Sequence, residues 1–173
     1  MSTDVAIRPA VLQDAAGIAR VHVRSWDESY RGIVPDSAID VYTLERRNAA
    51  WNKWLKREGW TTFVAESESQ IIGFACAFPD ATEPGFDTYL NTLYVLQSAQ
   101  RRGIARELLR ATAASLIEAG QKALWWLTLR ENPACAFYER IGAVVLRDQP
   151  APPELGEGIV DRVFGLHDLR VLL

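Results

Sequence analysis

Between Leu93 and Arg106 the hydrophobic period of the chain changes, and that change limits what the chain can fold into. Leu93-Tyr94-Val95-Leu96 is a short apolar run with two strand-favouring residues, which predicts the end of a β-strand. Beyond it Ala105, Leu108, Leu109, Thr112, Leu116 and Ala119 recur at three- and four-residue steps, as one face of a helix does. Gly120 offers the residue that ends that helix. The join is Gln100-Arg101-Arg102-Gly103-Ile104-Ala105-Arg106. Glycine and alanine there leave backbone N–H groups uncovered at a helix N-terminus, where the dipole and the unpaired donors favour an anion. Arg101 and Arg102 add charge and fork-shaped donors suited to phosphate. These residues predict a strand–turn–helix with an anion site of pyrophosphate size. An ordinary strand-to-helix connection carrying surface arginines is the alternative.

The elements around this join follow from local signals. Val5 to Arg8 reads as a strand stopped by Pro9, and Gln13 to Tyr30 as a helix with Ala15, Ile18, His22 and Trp26 on one face. Arg31-Gly32 breaks it, Pro35-Asp36 restarts helix, and a further helix from Thr43 carries Trp51, Trp54 and Leu55. Strands are predicted over 60–66 and 70–78, joined by the polar turn Ser67-Glu68-Ser69, and over 89–95. After Gly120, the run from Ala123 to Leu129 predicts a strand buried on both faces. Asn132-Pro133 predicts a helix start with Asn as N-cap and Pro at the first position, and Gly142 ends that helix. Strands over 143–147 and 159–166, separated by a Pro- and Gly-rich loop, complete the chain. At 173 residues, without a linker or repeat, one domain spanning 1–173 is expected.

The Gln-x-x-Gly-x-Ala pattern directly after Leu-Tyr-Val resembles the acetyl-CoA signature of the GCN5-related N-acetyltransferase (GNAT) superfamily, and the element order is similar over essentially the whole length. The resemblance implies an α/β (α+β) fold, a mixed and mostly antiparallel sheet of about seven strands with helices on both faces. It implies direct acetyl transfer from acetyl-CoA, as cosubstrate, to a primary amine of a small molecule or a protein. A non-catalytic acyl-CoA-binding sensor on the same fold is the second reading. Under the resemblance, the backbone of Arg101 to Arg106 holds pyrophosphate, with Gln100 beside it. Leu93, Tyr94 and Val95 take the pantetheine arm like an added strand, and the Val95 N–H meets the oxyanion.

Tyr138, in Ala136-Phe137-Tyr138-Glu139-Arg140-Ile141-Gly142, stands where the family places its general-acid tyrosine. A phenol with pKa about 10 is protonated at neutral pH and can donate to a departing thiolate. Asn132 resembles the asparagine that contacts the pantetheine arm, but lies one residue closer to Tyr138 than the family's usual spacing, so binding and capping both stay open. Many relatives carry a glutamate as base four residues before the Leu-Tyr-Val leucine; Tyr89 occupies that position here. Glu66, Glu83 and Asp87 are near in sequence and read as solvated or turn residues, so no base is assigned. Trp26, Glu28, Tyr30 and Arg31, at the break between the first helices, are acceptor-site candidates, as is Tyr89. Trp26 taken alone reads more readily as core, since tryptophans bury a large area wherever they fall.

The remaining composition excludes other classes. A net charge of −3 gives no nucleic-acid or anionic-membrane surface. His22 and His167 lack metal-ligand spacing, so no metal site is expected, and His22 reads as a core histidine. Cys76 and Cys135, without a Cys-x-x-Cys pair, read as buried thiols. No apolar run reaches membrane-spanning length and the first residues lack a signal-peptide pattern, so a cytoplasmic protein is expected. Many relatives dimerise, and the sequence carries no independent sign of an interface.

Overall fold

A computed structural model describes residues 4–173. Seven strands form one sheet: β1 (Ala6–Pro9), β2 (Thr61–Ser67), β3 (Gln70–Pro79), β4 (Thr88–Val95), β5 (Leu124–Leu129), β6 (Val144–Pro150) and β7 (Val160–Leu166). The spatial order is β1-β2-β3-β4-β5-β7-β6. Every neighbouring pair is antiparallel except β4 with β5. The helices are α1 (Ala15–Tyr30), α2 (Asp36–Asp40), α3 (Leu44–Trp54), α4 (Ile104–Glu118) and α5 (Cys135–Arg140). The mixed, mostly antiparallel sheet with helices on both faces is the architecture expected above.

Most boundaries follow the local chemistry. Thr43 caps α3, its Oγ1 accepting from the Arg46 N–H. Two boundaries differ from the sequence reading. β6 runs to Pro150 rather than stopping at Arg147, because β7 pairs with it through Gln149 and Pro150. Helix α5 begins at Cys135 rather than Pro133. Residues 132–135 close a preceding turn, with the Cys135 N–H on the Asn132 carbonyl at 3.0 Å, and Ala134 is the N-cap.

The two faces of the sheet carry separate cores. On one, α1 and α3 press Ile18, Val21 and Trp51 onto Val64 and Phe74. On the other, α4 lays Leu108 and Ile104 over Ala65, Ala75 and Val95. Towards the β5–β7 side, Leu109 and Leu116 of α4 meet Trp126, Tyr138, Phe164 and Leu169. A further cluster joins the end of α1 to α2, Leu129 and the β6–β7 loop, through Trp26, Tyr30, Val34, Ile39 and Ala151. Cys76 and Cys135 are buried, free thiols, and burial pushes Cys76 up to about 12.

His22 is 3% exposed, and its Nδ1 accepts from Trp51 Nε1 at 3.1 Å. Burial and the nearby Arg47 charge depress its pKa from 6.5 to about 3. A histidine held neutral in the fold but protonatable when unfolded stabilises fully above its unfolded pKa, and that stability is lost as pH falls towards the folded value. The melting temperature should therefore decline as pH is lowered below about 6.5. His22→Asn should flatten that decline while lowering stability at neutral pH; an unchanged slope in the variant assigns the decline to other groups.

Candidate active site

The strands β4 and β5 pair only at Thr88↔Leu124 and Tyr89↔Trp125, then part. Asn91 is an extra residue in β4, since Cys76 faces Thr92 while Ala77 faces Leu90. Such a bulge bends a strand and strengthens its twist, here at the start of the divergence. Beyond it, the edge of β4 that faces β5 is left without a partner strand. The Leu96 N–H bonds the Ile72 carbonyl at 2.9 Å, so the alternation of a strand turns the Val95 and Leu93 backbone groups towards the opening. The side chains go elsewhere. Val95 packs under α4, and Tyr94 lies under α1, its ring 5.3 Å from His22 and 5.8 Å from Phe74.

At the mouth of the opening, the turn into α4 has unusual backbone geometry. Arg101 has φ +62° and Gly103 φ +79°, both left-handed. Gly103 is the N-cap of α4 and no side chain caps the helix. The first intrahelical bond runs from the Glu107 N–H to the Gly103 carbonyl, which leaves the N–H groups of Ile104, Ala105 and Arg106 without helical acceptors. Gln100 turns back and donates from Nε2 to the Val95 carbonyl at 3.0 Å, tying the turn to the end of β4. Arg101, Arg102 and Arg106 are exposed around this terminus. Uncapped donors at a helix start, next to left-handed backbone, suit a phosphate. The arrangement fits the pyrophosphate and pantetheine of a CoA thioester.

Tyrosine hydroxyls converge inside the opening. Tyr30, from the last turn of α1, accepts from Asn132 Nδ2 at 3.2 Å and faces the hydroxyls of Tyr94 and Thr128. Tyr138 packs its ring on Trp126 and Phe164, with centroids 4.9 and 5.4 Å away, and lies within electrostatic reach of Tyr30 and Tyr89. Tyr89 packs against Trp125 in a tilted ring pair with centroids 4.6 Å apart, and the Leu127 backbone is the hydrogen-bonding neighbour of its hydroxyl. Burial raises all four phenols, Tyr89 up to about 12, so each stays protonated at physiological pH.

The sequence candidates divide by position. Tyr30 and Asn132 are in contact at the opening, and Tyr89 and Tyr138 lie within electrostatic reach of Tyr30. Asn132 uses both ends of its amide, with Oδ1 accepting from the Ala134 N–H at 2.9 Å while Nδ2 holds Tyr30. Trp26 stands behind Tyr30, stacked on Tyr42 at 4.1 Å, and is 9% exposed. Arg31 faces outward, bonded to Asp27 at 2.7 Å and Asp36 at 2.9 Å. Glu28 is a fastener, accepting from the Gln97 N–H at 2.9 Å and from Arg24 at 2.8 Å. One residue absent from the sequence reading belongs here. Asp161 of β7 is 6% exposed, sits opposite Leu129 of β5, and interacts electrostatically with Tyr30 and Tyr89. The signal for it was a lone carboxylate inside the apolar run Ile159–Leu166. Among the described residues no His, Cys, Asp and Glu cluster is arranged to hold a metal ion.

Comparison with known proteins decides the family. The model of the acetyltransferase (GNAT) family matches residues 21–143. The chain belongs to that family. It is 34% identical over 137 residues to the uncharacterised N-acetyltransferase YuaI of Bacillus subtilis, covering 78% of each protein. It is 29% identical over 140 residues to a probable N-acetyltransferase of Mycobacterium tuberculosis, covering 80% of this chain and 79% of that one. Among solved structures, PaiA N-acetyltransferase of Thermoplasma acidophilum, in complex with coenzyme A, superposes with TM-score 0.74 at 19% identity, over 94% of this chain and 98% of that one. YncA of Salmonella typhimurium, with acetyl-CoA, gives TM-score 0.74 at 18% identity, over 96% and 94%. This GNAT chain is an acetyl-CoA-dependent acetyltransferase, with acetyl-CoA as its cosubstrate. No helix among the described residues is long and apolar enough to cross a membrane.

A Cβ at Gly103 would meet no atom within 4 Å, so only its left-handed φ resists substitution. Gly103→Ala should cost about 1 kcal/mol of stability, read by urea denaturation. It should also reduce acetyl-CoA affinity by more than that stability loss accounts for, read by calorimetric titration, because the turn relaxes away from its left-handed form.

Proposed function

We propose that this GNAT chain acts as a single-domain N-acetyltransferase that moves the acetyl group of acetyl-CoA directly onto a primary amine, with Tyr138 as general acid. The observation that carries the reading is the juxtaposition of an unpartnered β4 edge with a buried, neutral tyrosine cluster where β4 and β5 part. When bound, acetyl-CoA supplies an activated acyl carbon and a thiol leaving group. The chain's own groups account for the rest. The N–H groups of Ile104, Ala105 and Arg106 hold the pyrophosphate, with Arg101 and Arg102 adding positive charge at the surface. The edge of β4 at Leu93 and Val95 orients the pantetheine arm as an added strand would be held. The Val95 N–H is aimed to receive developing negative charge on the carbonyl oxygen.

Tyr138 stands on the far wall, on α5, with its hydroxyl kept protonated by burial. Its O–H proton goes to the departing sulfur, a transfer that a positioned acid accelerates by about 100-fold or more. Tyr30 and Asn132 fix the wall between β4 and α5, so that the hydroxyl cannot drift from the opening. The acceptor enters from the side of α1, α2 and the β6–β7 loop, where Tyr30 and Tyr89 form the floor. The two curated relatives are named as N-acetyltransferases, which supports nitrogen as the acceptor atom.

Release of CoA thiol should be measured for the wild type and Tyr138→Phe with a panel of amines. Removing the hydroxyl should lower kcat by about 100-fold while the dissociation constant for acetyl-CoA changes less than about twofold. Equal turnover in both proteins removes Tyr138 from the acid role. Stabilisation by acetyl-CoA without release from any amine would favour a binding module.

A further inference from the structure

We infer that Asp161 is the proton acceptor for the acceptor's ammonium group, and that the site therefore selects a cationic primary amine. The inference rests on the acetyl-transfer reading above and adds to it the base and the charge of the acceptor. At neutral pH an alkyl amine with pKa near 10 is almost wholly ammonium, so a proton must leave nitrogen before it can attack.

The carboxylates near the opening can be taken one at a time. Glu66 and the buried Asp14 are both bound to Arg8. Glu83 is 8% exposed and held by Arg147 at 2.7 Å. Asp87 accepts from the Lys122 N–H at 2.9 Å and the Ala123 N–H at 3.1 Å, closing the turn into β5. Each has a structural partner, as does Asp80, which interacts electrostatically with Tyr89 and accepts from the Thr82 N–H at 2.8 Å. Asp161 is 6% exposed as a residue, its carboxylate oxygens are not sealed from solvent, and no hydrogen bond or ion pair to them occurs among the described residues.

A buried carboxylate without a partner is costly unless something charged comes to meet it. Its surroundings supply nothing of that kind. From α1 it is faced by Tyr30 and from β4 by Tyr89. Its register neighbours are Leu129 of β5 and Gln149 of β6. Arg147, two residues along β6 on the same face, is engaged by Glu83. The neighbouring Arg162 points to the opposite face, where it binds Asp148 at 2.8 Å. A primary ammonium, with three N–H donors and a positive charge, is the group this pocket lacks.

The position also suits the chemistry. Tyr30 and Tyr89 interact electrostatically with both Asp161 and Tyr138, so the same pair of hydroxyls neighbours both groups. Tyr89 occupies the place where many relatives carry a glutamate, and here the carboxylate comes from β7 instead. One proton passes from the ammonium nitrogen to a carboxylate oxygen of Asp161, and the N–H bonding pair stays on nitrogen as the attacking lone pair. A second proton of that nitrogen replaces the one Tyr138 gives to sulfur, and Asp161 returns its proton to water. The sum is one proton released per amide formed. Burial raises the pKa of Asp161, which makes its carboxylate a stronger proton acceptor.

The test uses full-length wild type and Asp161→Asn with acetyl-CoA and three probe amines: n-butylamine, spermidine and a peptide with a free N-terminal amine. For the probe that reacts, wild-type kcat/KM should reach a plateau above the titration of the carboxylate. D161N should be slower by about 100-fold at neutral pH and rise about tenfold per pH unit, following the free amine, with acetyl-CoA affinity within about twofold. Matching pH profiles in the two proteins sink the inference alone. Failure of the wild type to release thiol with any probe sinks the transfer reading, and the inference with it. Thermal melting gives a second readout. A folded pKa above the unfolded one means stability is lost as pH rises, so D161N should melt higher than the wild type at about pH 8 and converge with it near pH 4. Parallel melting curves overturn the inference. Should D161N not fold, Asp161→Ser carries the same kinetic test, with the same loss at neutral pH and rise with pH expected; a pH profile matching the wild type overturns it.

Discussion

The parting of β4 from β5 is the constraint on which the rest of the molecule depends. Two residue pairs hold these parallel strands together, and then a bulge at Asn91 swings β4 away. Backbone groups inside a sheet are ordinarily paired, so an unpaired stretch there is tolerated only if something else completes it. Here the completion is divided. Side chains of α1 and the segment after β5 seal one part, where Tyr30 meets Asn132, Thr128 and Tyr94. The remaining edge at Leu93 and Val95 has no partner strand among the described residues, and it is the edge proposed above for the pantetheine arm. The site is a break in the sheet that helices and loops keep from closing.

Electrostatics around that break are segregated. Most of the charge lies outside it, in pairs such as Arg162 with Asp148 and Arg31 with Asp27 and Asp36, which are worth little individually in solvent. At the start of α4, proposed above to hold the pyrophosphate, backbone N–H groups and surface arginines give fields of one sign. The floor of the opening is made of phenols that burial keeps neutral, so little fixed charge competes there with the charge that develops during reaction. Asp161 is the exception, a carboxylate with no ion pair among the described residues, and it interacts electrostatically with the same Tyr30 and Tyr89 that neighbour Tyr138.

Much of this was legible in residue order. The switch from a strand period to a helix period around Gly103 foretold β4, the turn and α4, because each signal there is local: apolar alternation, a residue suited to left-handed φ, a three-to-four repeat. The turn Ser67-Glu68-Ser69 and the start of a helix at about Thr43 were legible for the same reason. Where local signals competed, the reading slipped. Asn132-Pro133 has the chemistry of a helix start, but the chain spends it on a turn, and α5 begins at Cys135. The Pro and Gly content after Gln149 reads as loop, yet β7 recruits Gln149 and Pro150 into a strand pair. Trp26 could have been core or site by composition alone; its stacking on Tyr42 puts it behind the floor.

The sequence by itself determined the elements and the anion-binding turn, since period, glycine placement and helix ends are properties of a few consecutive residues. It also named Tyr138 through resemblance. Only the tertiary structure decided which groups share the opening. Tyr30 and Asn132 are 102 residues apart and in hydrogen-bond contact. Asp161 reaches the site because β7, and not β6, is the neighbour of β5. Strand order is set by how whole faces bury against one another, which no stretch of residues encodes alone. That order converts a lone carboxylate in an apolar strand from an oddity of sequence into a member of the candidate site.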